Sequence, residues 1–353
     1  MNFLRRFNPR SVVMSLTSRI RTQALSWSHN TPLPAGKPDT EPIFQAWHEF
    51  DSSTKRWCNV NSTETADSFD NSQKRSDRDS KLVAVTWNVD AFADGKEARI
   101  SALLSHVTGQ TPAVDIIFLQ EVSEEALDFI LNDSGIRESW YLSEADATNW
   151  QGLPFATMTF LSKSRFATTK AATGMASIGS VWRVNYPSRY GRDALCCDIF
   201  MPSSQTSPSK PSSAETRVRL VNVHLDSLPS YPSRRPQQLS IVASFLRSAD
   251  CGLVAGDFNP VQEEDATLIQ KNGLVDAWLE LRPDDPGFTW GVDGKAPFPP
   301  NRMDRVAMIG LKVHDIEVMH PETISARTRI QTMVQVPWSD HSGLKYSFAV
   351  DGN

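Results

Sequence analysis

Leu82-Val83-Ala84-Val85-Thr86-Trp87-Asn88-Val89-Asp90 is an apolar run that ends in a polar cluster. Its first four residues predict a short buried strand, and its last three put an amide and a carboxylate just beyond it. The same pattern recurs at Leu119-Gln120-Glu121, His224-Leu225-Asp226-Ser227, Gly256-Asp257-Phe258-Asn259, Arg302-Met303-Asp304-Arg305 and Ser339-Asp340-His341. Asn, Asp, Glu, Ser and His are the side chains that hold a hard cation and activate water. A layered fold gathers such side chains at its strand ends without burying them unpaired, so the six clusters are read as one site.

Outward from that run, strands and helices alternate. Ile100, Leu103, Leu104 and Val107 fall at helical spacing. Val114 to Leu119 predicts a second strand, and Ser123 starts a helix with Leu127, Ile130 and Leu131 on one face. Further strands are expected at 155–161, 193–200, 217–223 and 252–255. Ser233 is expected to cap a helix whose core face is Leu239, Val242, Ala243 and Leu246, and another helix stops at Gly273. The last third, from Phe288 to Val350, reads as strands and loops. The pattern predicts an α/β fold with layered sheets.

The chain has 353 residues, 40% hydrophobic and 22% charged, with a formal net charge of -5. That is an ordinary globular composition, and it excludes a polycation that binds nucleic acid through a global field. No apolar run has the length of a membrane span. Cys58, Cys196, Cys197 and Cys251 form neither a CxxC pair nor a disulfide ladder, which suits buried intracellular thiols. Residues 1–40 are basic and Ser-rich, without an acid before Asp39. This is the composition of a mitochondrial transit peptide, and equally of a basic disordered tail. Residues 41–80 read as an aromatic arm (Phe44, Trp47, Phe50, Trp57) followed by a polar linker. The catalytic domain is expected over 81–353, with a Pro/Ser-rich insertion near 203–214 at a hairpin end.

Glu121 ends a strongly apolar segment, where an ionised carboxylate is costly unless solvated or paired. With Asp90 it meets the sparse demand of Mg²⁺; it also suits a helix start beside Ser123. Asp257 and Asn259, two residues apart on extended chain, point the same way and make a hydrolytic pair, one taking a proton from water and the other orienting it. An Asp-Asn turn before Pro260 is the plainer alternative. Asp304 and His341 suggest a carboxylate-oriented, cationic imidazole, and His224 offers a second ring. The other histidines carry no such neighbourhood. There is no zinc-type His/Cys spacing, no serine nucleophile elbow and no Walker-type glycine loop. One hard cation, a water-activating pair and a cationic imidazole hydrolyse phosphate esters.

The order of these motifs resembles the endonuclease/exonuclease/phosphatase superfamily, with its DNase I-like fold. Within it, Thr86-Trp87-Asn88-Val89-Asp90, Gly191-Arg192-Asp193-Ala194-Leu195-Cys196, Thr289-Trp290 and Arg302-Met303-Asp304-Arg305 are similar to the motifs of the 5′-tyrosyl-DNA phosphodiesterases. The resemblance implies a four-layer α/β sandwich, two packed mixed β-sheets flanked by helices. It implies Mg²⁺ (or Mn²⁺) at Glu121 with Asp90 nearby, and Asp257 and Asn259 on the attacking water. Asn88, His224, Ser227 and His341 would contact the scissile phosphate, with Asp304 holding His341. Trp290, Arg302 and Arg192 would bind substrate, and Asp340 would support the metal or His341. The implied activity is hydrolysis of 5′-phosphotyrosyl DNA ends left by topoisomerases, by a monomer in the nucleus. Arg183, Arg189, Arg192, Arg217, Arg219, Arg234 and Arg235 would form a local basic strip for the DNA. Another enzyme of the fold, an abasic-site or general nuclease or a small-molecule or lipid phosphoesterase, is the alternative. A catalytically dead binding module would have lost an essential group, and all are present. The sequence departs from the branch at Phe258, where Thr is usual, at Asp226, where Glu is usual, and at Phe155, which has no hydroxyl.

Overall fold

The computed structural model describes residues 41–60, 81–168, 175–202, 215–249, 251–327 and 332–350. The basic tail, the polar linker over 61–80 and the Pro/Ser-rich insertion lie outside the described residues. In chain order the strands are β1 (Pro42–Gln45), β2 (His48–Asp51), β3 (Arg56–Asn59), β4 (Leu82–Asn88), β5 (Ile116–Ser123) and β6 (Trp140–Leu142). They continue as β7 (Phe155–Ser162), β8 (Phe166–Ala167), β9 (Ala176–Asn185), β10 (Asp193–Pro202), β11 (Glu215–His224) and β12 (Cys251–Asp257). The last are β13 (Val275–Asp276), β14 (Asp304–Ile309), β15 (Leu311–Met319), β16 (Thr323–Arg327), β17 (Met333–Pro337) and β18 (Gly343–Val350).

Two mixed sheets carry the fold. One runs β1-β9-β10-β11-β12-β14-β13, with β8 beside β9; the other runs β15-β18-β4-β5-β7-β6-β2-β3. Period-two alternation explains how they stack. Leu82 and Ala84 of β4, Ile116 and Phe118 of β5, and Leu220, Leu253 and Ala255 of the facing sheet share one central core. The alternate residues Val83, Val85, Trp87, Ile117 and Leu119 pack outward on the helices Lys96–Thr108 and Glu124–Asn132. On the far side Val221, Val223 and Val254 pack on the helix Arg235–Arg247. The result is a four-layer α/β sandwich. Cys196 and Cys197 fall in different cores, as adjacent strand residues must.

Ser123 caps its helix, its Oγ accepting from Ala126 N at 3.3 Å. Ser233 does not cap the helix Arg235–Arg247; Arg234 precedes that helix without a side-chain cap. Pro236 sits in its first turn, where a missing N–H leaves one fewer donor to satisfy. The aromatic arm is woven into both sheets: β1 extends one edge beside β9, and β2 and β3 extend an edge of the other beside β6. Trp47 is buried, and its indole N–H donates to the Gly179 carbonyl at 2.9 Å. Among the described residues, no helix is long and apolar enough to cross a membrane.

Candidate active site

Topology brings the six clusters to one edge of the sandwich. β4 runs parallel to β5, and β11 parallel to β12, so their C-terminal ends coincide. β14 and β18 run antiparallel to their neighbours β12 and β4, so their N-terminal ends reach the same edge. Register then sets His224 beside Asp257 and Asp257 beside Asp304, while Asn88 lies beside Gln120 in the opposite sheet.

β5 delivers its carboxylate through a bulge. The pairing with β7 slips between Leu119 and Val122, and Glu121 adopts φ 59°. A bulge re-aims one side chain. Gln120 turns inward, where its Nε2 donates to Thr86 Oγ1 at 3.0 Å and to Asn222 Oδ1 at 2.8 Å, tying the two sheets together. Glu121 turns toward the edge, and its Oε2 accepts from Ala91 N at 3.0 Å. Asp90, at φ 56°, is held by the buried Arg99, which donates to its carboxylate at 3.3 Å and to its carbonyl at 3.1 Å. Burial raises the Asp90 carboxyl to about 6; Asp340 and Glu121 push it the same way and Arg99 opposes them. Among the described residues no three His, Cys, Asp or Glu side chains form a ready-made metal cage. Crowded carboxylates with one guanidinium nevertheless fit a hard divalent cation, which keeps most of its ligands as waters and substrate oxygens.

Across the edge lies Asp257, almost fully buried. Gly256 places it: at φ 140°, a Cβ there would stand 2.0 Å from the Val223 carbonyl oxygen, so only glycine fits. Asn88 Nδ2 donates to Asp257 Oδ2 at 3.1 Å, and Asn259 N donates to Oδ1 at 2.9 Å. Burial raises the Asp257 carboxyl to about 7 despite the nearby His341 charge. The two imidazoles flank it, His224 Nε2 at 3.5 Å and His341 Nε2 at 3.9 Å. Their environments push them apart. Burial works against charge on His341, but Asp304, 2.8 Å from its Nδ1, and Asp257 outweigh it and hold the ring protonated. His224 Nε2 lies 3.5 Å from Asp257 and 3.8 Å from Glu121, but burial, with Arg192 and His341 beside it, weighs against its charge and keeps it neutral.

The edge opens into a cleft of about 1150 Å³, lined by Glu121, Asp90, His224, Ser227, Asn259, Trp290, Arg192 and His341 among others. Its walls are aromatic. Phe155 stacks on His224 with ring centroids 6.3 Å apart, Phe92 meets Phe155 edge-on, and the Arg192 guanidinium lies 4.7 Å over Phe155. Trp290 also lines the cleft, its Nε1 donating to Asp340 Oδ2 at 3.4 Å.

Arg302 is not brought to the cleft. Its two Nη atoms meet the Asp276 carboxylate at 2.8 Å each, a buried bidentate pair stronger than an exposed cation could make. The basic strip is corrected in the same way. Arg183 is buried between Glu144 and Asp193, Arg219 pairs with Asp198, and Arg235 pairs with Asp265. Arg217 donates to the Ser248 carbonyl. Of the seven, Arg189 and Arg192 line the cleft.

Sequence reasoning missed several supports. Thr289 Oγ1 accepts from Asp304 N at 3.0 Å, Ser339 Oγ donates to the Asn88 carbonyl, and Trp87 Nε1 donates to the His341 carbonyl at 2.9 Å. Thr289 and Ser339 stood inside quoted motifs, but nothing in the sequence gave their partners. Arg99 stood on the apolar face of a predicted helix, a position where a charge signals a buried partner.

Residues 85–341 match the profile of the Endonuclease/Exonuclease/phosphatase family. No curated protein sequence matches the chain. Among solved structures, D. rerio TDP2 complexed with single strand DNA product is similar at TM-score 0.57 and 19% identity, over 76% of this chain and 99% of that one. TDP2 from C. elegans is similar at 0.55 and 20%, over 76% and 75%. An endonuclease/exonuclease/phosphatase family protein from Bacteroides thetaiotaomicron is similar at 0.54 and 13%, over 77% and 99%. At these identities the likeness is one of fold.

Proposed function

Because the chain belongs to the Endonuclease/Exonuclease/phosphatase family, we propose that it is a Mg²⁺-dependent phosphodiesterase acting on 5′-phosphotyrosyl DNA ends. One observation carries the reaction class: two imidazoles, His224 and His341, flank a single buried carboxylate, Asp257, in a cleft that Glu121 and Asp90 also line, and their surroundings push the two rings in opposite directions, His341 up and His224 down. Opposed pKa shifts within one cleft assign acid and base roles.

Glu121 and Asp90 would hold the Mg²⁺, which when bound neutralises phosphate charge and stabilises the leaving oxygen. The rest falls to the chain's own groups. Asp257, with a carboxyl near 7, takes a proton from the attacking water. Asn88 and Asn259 fix that carboxylate and so the direction of attack. His341, kept cationic by Asp304, donates to a phosphoryl oxygen, and Ser227 and Arg192 line the same cleft. A tyrosine oxygen is a modest demand as a leaving group, because its conjugate acid has a pKa of about 10. Phe92, Phe155 and Trp290 offer an apolar setting for its ring. The motif resemblance and the DNA product held by D. rerio TDP2 support DNA as the substrate.

The test is a tyrosine-linked oligonucleotide incubated with and without Mg²⁺ and with Mn²⁺. Release of a 5′-phosphate without internal nicking is expected. Nicking of plain or abasic duplex, or turnover of small phosphoesters alone, would overturn the assignment in favour of another activity of the fold. The nucleus is the proposed compartment. A reporter fused to residues 1–40 that enters mitochondria would move it there.

A further inference from the structure

The departure at Asp226 has a partner in the loop that carries Arg192. The Asp226 side chain points into the turn at 188–192: its Oδ1 accepts from the Ser188 hydroxyl and its Oδ2 accepts from Arg189 N at 2.9 Å. Ser188 Oγ in turn accepts from Tyr190 N at 3.0 Å and from Arg192 N at 2.9 Å. The hydroxyl is thus a hub, donating to one carboxylate and gathering two backbone N–H groups. A second tie runs beside it. Gln238, from the first turn of the helix Arg235–Arg247, accepts from Asp226 N at 3.1 Å and donates to the Pro187 carbonyl at 2.9 Å. Arg235 donates to the Asp226 carbonyl at 2.8 Å. The loop therefore hangs from the segment that follows β11, which starts right after His224 and supplies Ser227.

Arg192 is what the loop presents. It stacks over Phe155 and reaches Ser227 Oγ at 3.5 Å, and no carboxylate pairs with it among the described residues. An unpaired guanidinium in a cleft needs its backbone fixed, since its long side chain otherwise samples many rotamers. We infer that Asp226 and Ser188 are positioning residues, which lock the 188–192 turn so that Arg192 holds a phosphate oxygen beside Ser227. This rests on reading the cleft as a phosphodiesterase site.

The experiment uses Ser188→Ala and Asp226→Asn, each alone and combined with Arg192→Ala. The probe is a 5′-phosphorylated oligonucleotide, with its Kd read by fluorescence anisotropy. Amide hydrogen exchange across 187–192 is measured in the free protein. Each single variant is expected to speed exchange at Arg189, Tyr190 and Arg192, and to raise Kd about tenfold, the weight of one charge-assisted hydrogen bond. In the Arg192→Ala background neither variant should weaken binding further, because the group being positioned is gone. A purely structural role would give the same loss in both backgrounds and would overturn the inference, as would unchanged exchange or a wild-type chain that does not bind the probe. If Asp226→Asn does not fold, Ser188→Ala, which removes a single hydroxyl, decides the matter. A wild-type chain that binds the probe but leaves the tyrosyl oligonucleotide uncut would count against the proposed function alone.

Discussion

Asp198 and Asp257 are buried carboxylates on β10 and β12 of one sheet, and the chain treats them in opposite ways. Asp198 receives two charge-assisted hydrogen bonds from Arg219, at 2.8 and 2.9 Å, and the pair is closed. Among the described residues Asp257 receives two neutral N–H donors, and its nearest cation, His341, is already engaged by Asp304. The same contrast separates the two regions at large. Away from the cleft, Arg183, Arg219, Arg235 and Arg302 each have a matched acid. At the strand ends, Asp90, Glu121, Asp257, Asp304 and Asp340 share Arg99 and His341. Matched pairs hold a fold in one arrangement. A deficit of positive charge stores readiness for a cation and a proton, at some cost in stability.

The sharpest way to break the comparison is Asp257→Asn. Turnover is expected to fall by about 10²–10⁴-fold, the usual weight of a general base, while Tm is not lowered, since a costly buried charge is removed. A large loss of Tm would put Asp257 with the structural pairs. Asp198→Ala should do the reverse: it strands Arg219 and costs about 3–5 kcal/mol in urea unfolding, with turnover per folded molecule unchanged.

Cation binding should be worth slightly less, about 3 kcal/mol at a hundredfold excess over Kd, and its pH dependence follows from the raised carboxyls. Both Asp90 (about 6) and Asp257 (about 7) lie above the ordinary 3.8. At these two positions the folded chain therefore binds more protons than the unfolded one between roughly pH 4 and 7, and their contribution to the stability of the cation-free protein falls as pH rises through that window. Mg²⁺ bound at Glu121 and Asp90 would relieve that loss. Its upward shift of Tm should be small at pH 5, full above pH 7, and absent in Glu121→Gln. An equal shift at both pH values would show that the ion binds elsewhere. The smallest effect concerns salt. With Arg189 and Arg192 as the lining arginines, log K for a single-stranded oligonucleotide should fall against log salt with a slope of about −1 to −2. A slope near −5 would restore the seven-arginine strip.

What was legible in the sequence follows from locality. Each polar cluster lies within five residues and next to its own strand, so Glu121, Asp257 and His341 announce themselves by an apolar run that stops. Arg302 stood in the same kind of cluster and went elsewhere, because its partner Asp276 is 26 residues away and only the pairing of β13 with β14 brings it close. Arg183 and Glu144 are 39 residues apart, joined only where β9 lies against the other sheet. The arm over 41–60 was legible as aromatic, but short strands such as β1 and β2 are defined by the edges they join rather than by their own four residues.

The sequence by itself determined the layered α/β class, the order of the polar strand ends and the chemical kinds of side chain at the site, because alternation and residue type are local properties. Tertiary structure decided which charges are answered and which are left open. Parallel β4/β5 and β11/β12 with antiparallel β14 and β18 bring six distant clusters to one edge, where burial pushes Asp257 up and His224 down while Asp304 overrides burial at His341. The reason is physical: a side chain's identity travels with the chain, but its electrostatic partner and its solvent exist only once the sheets have packed.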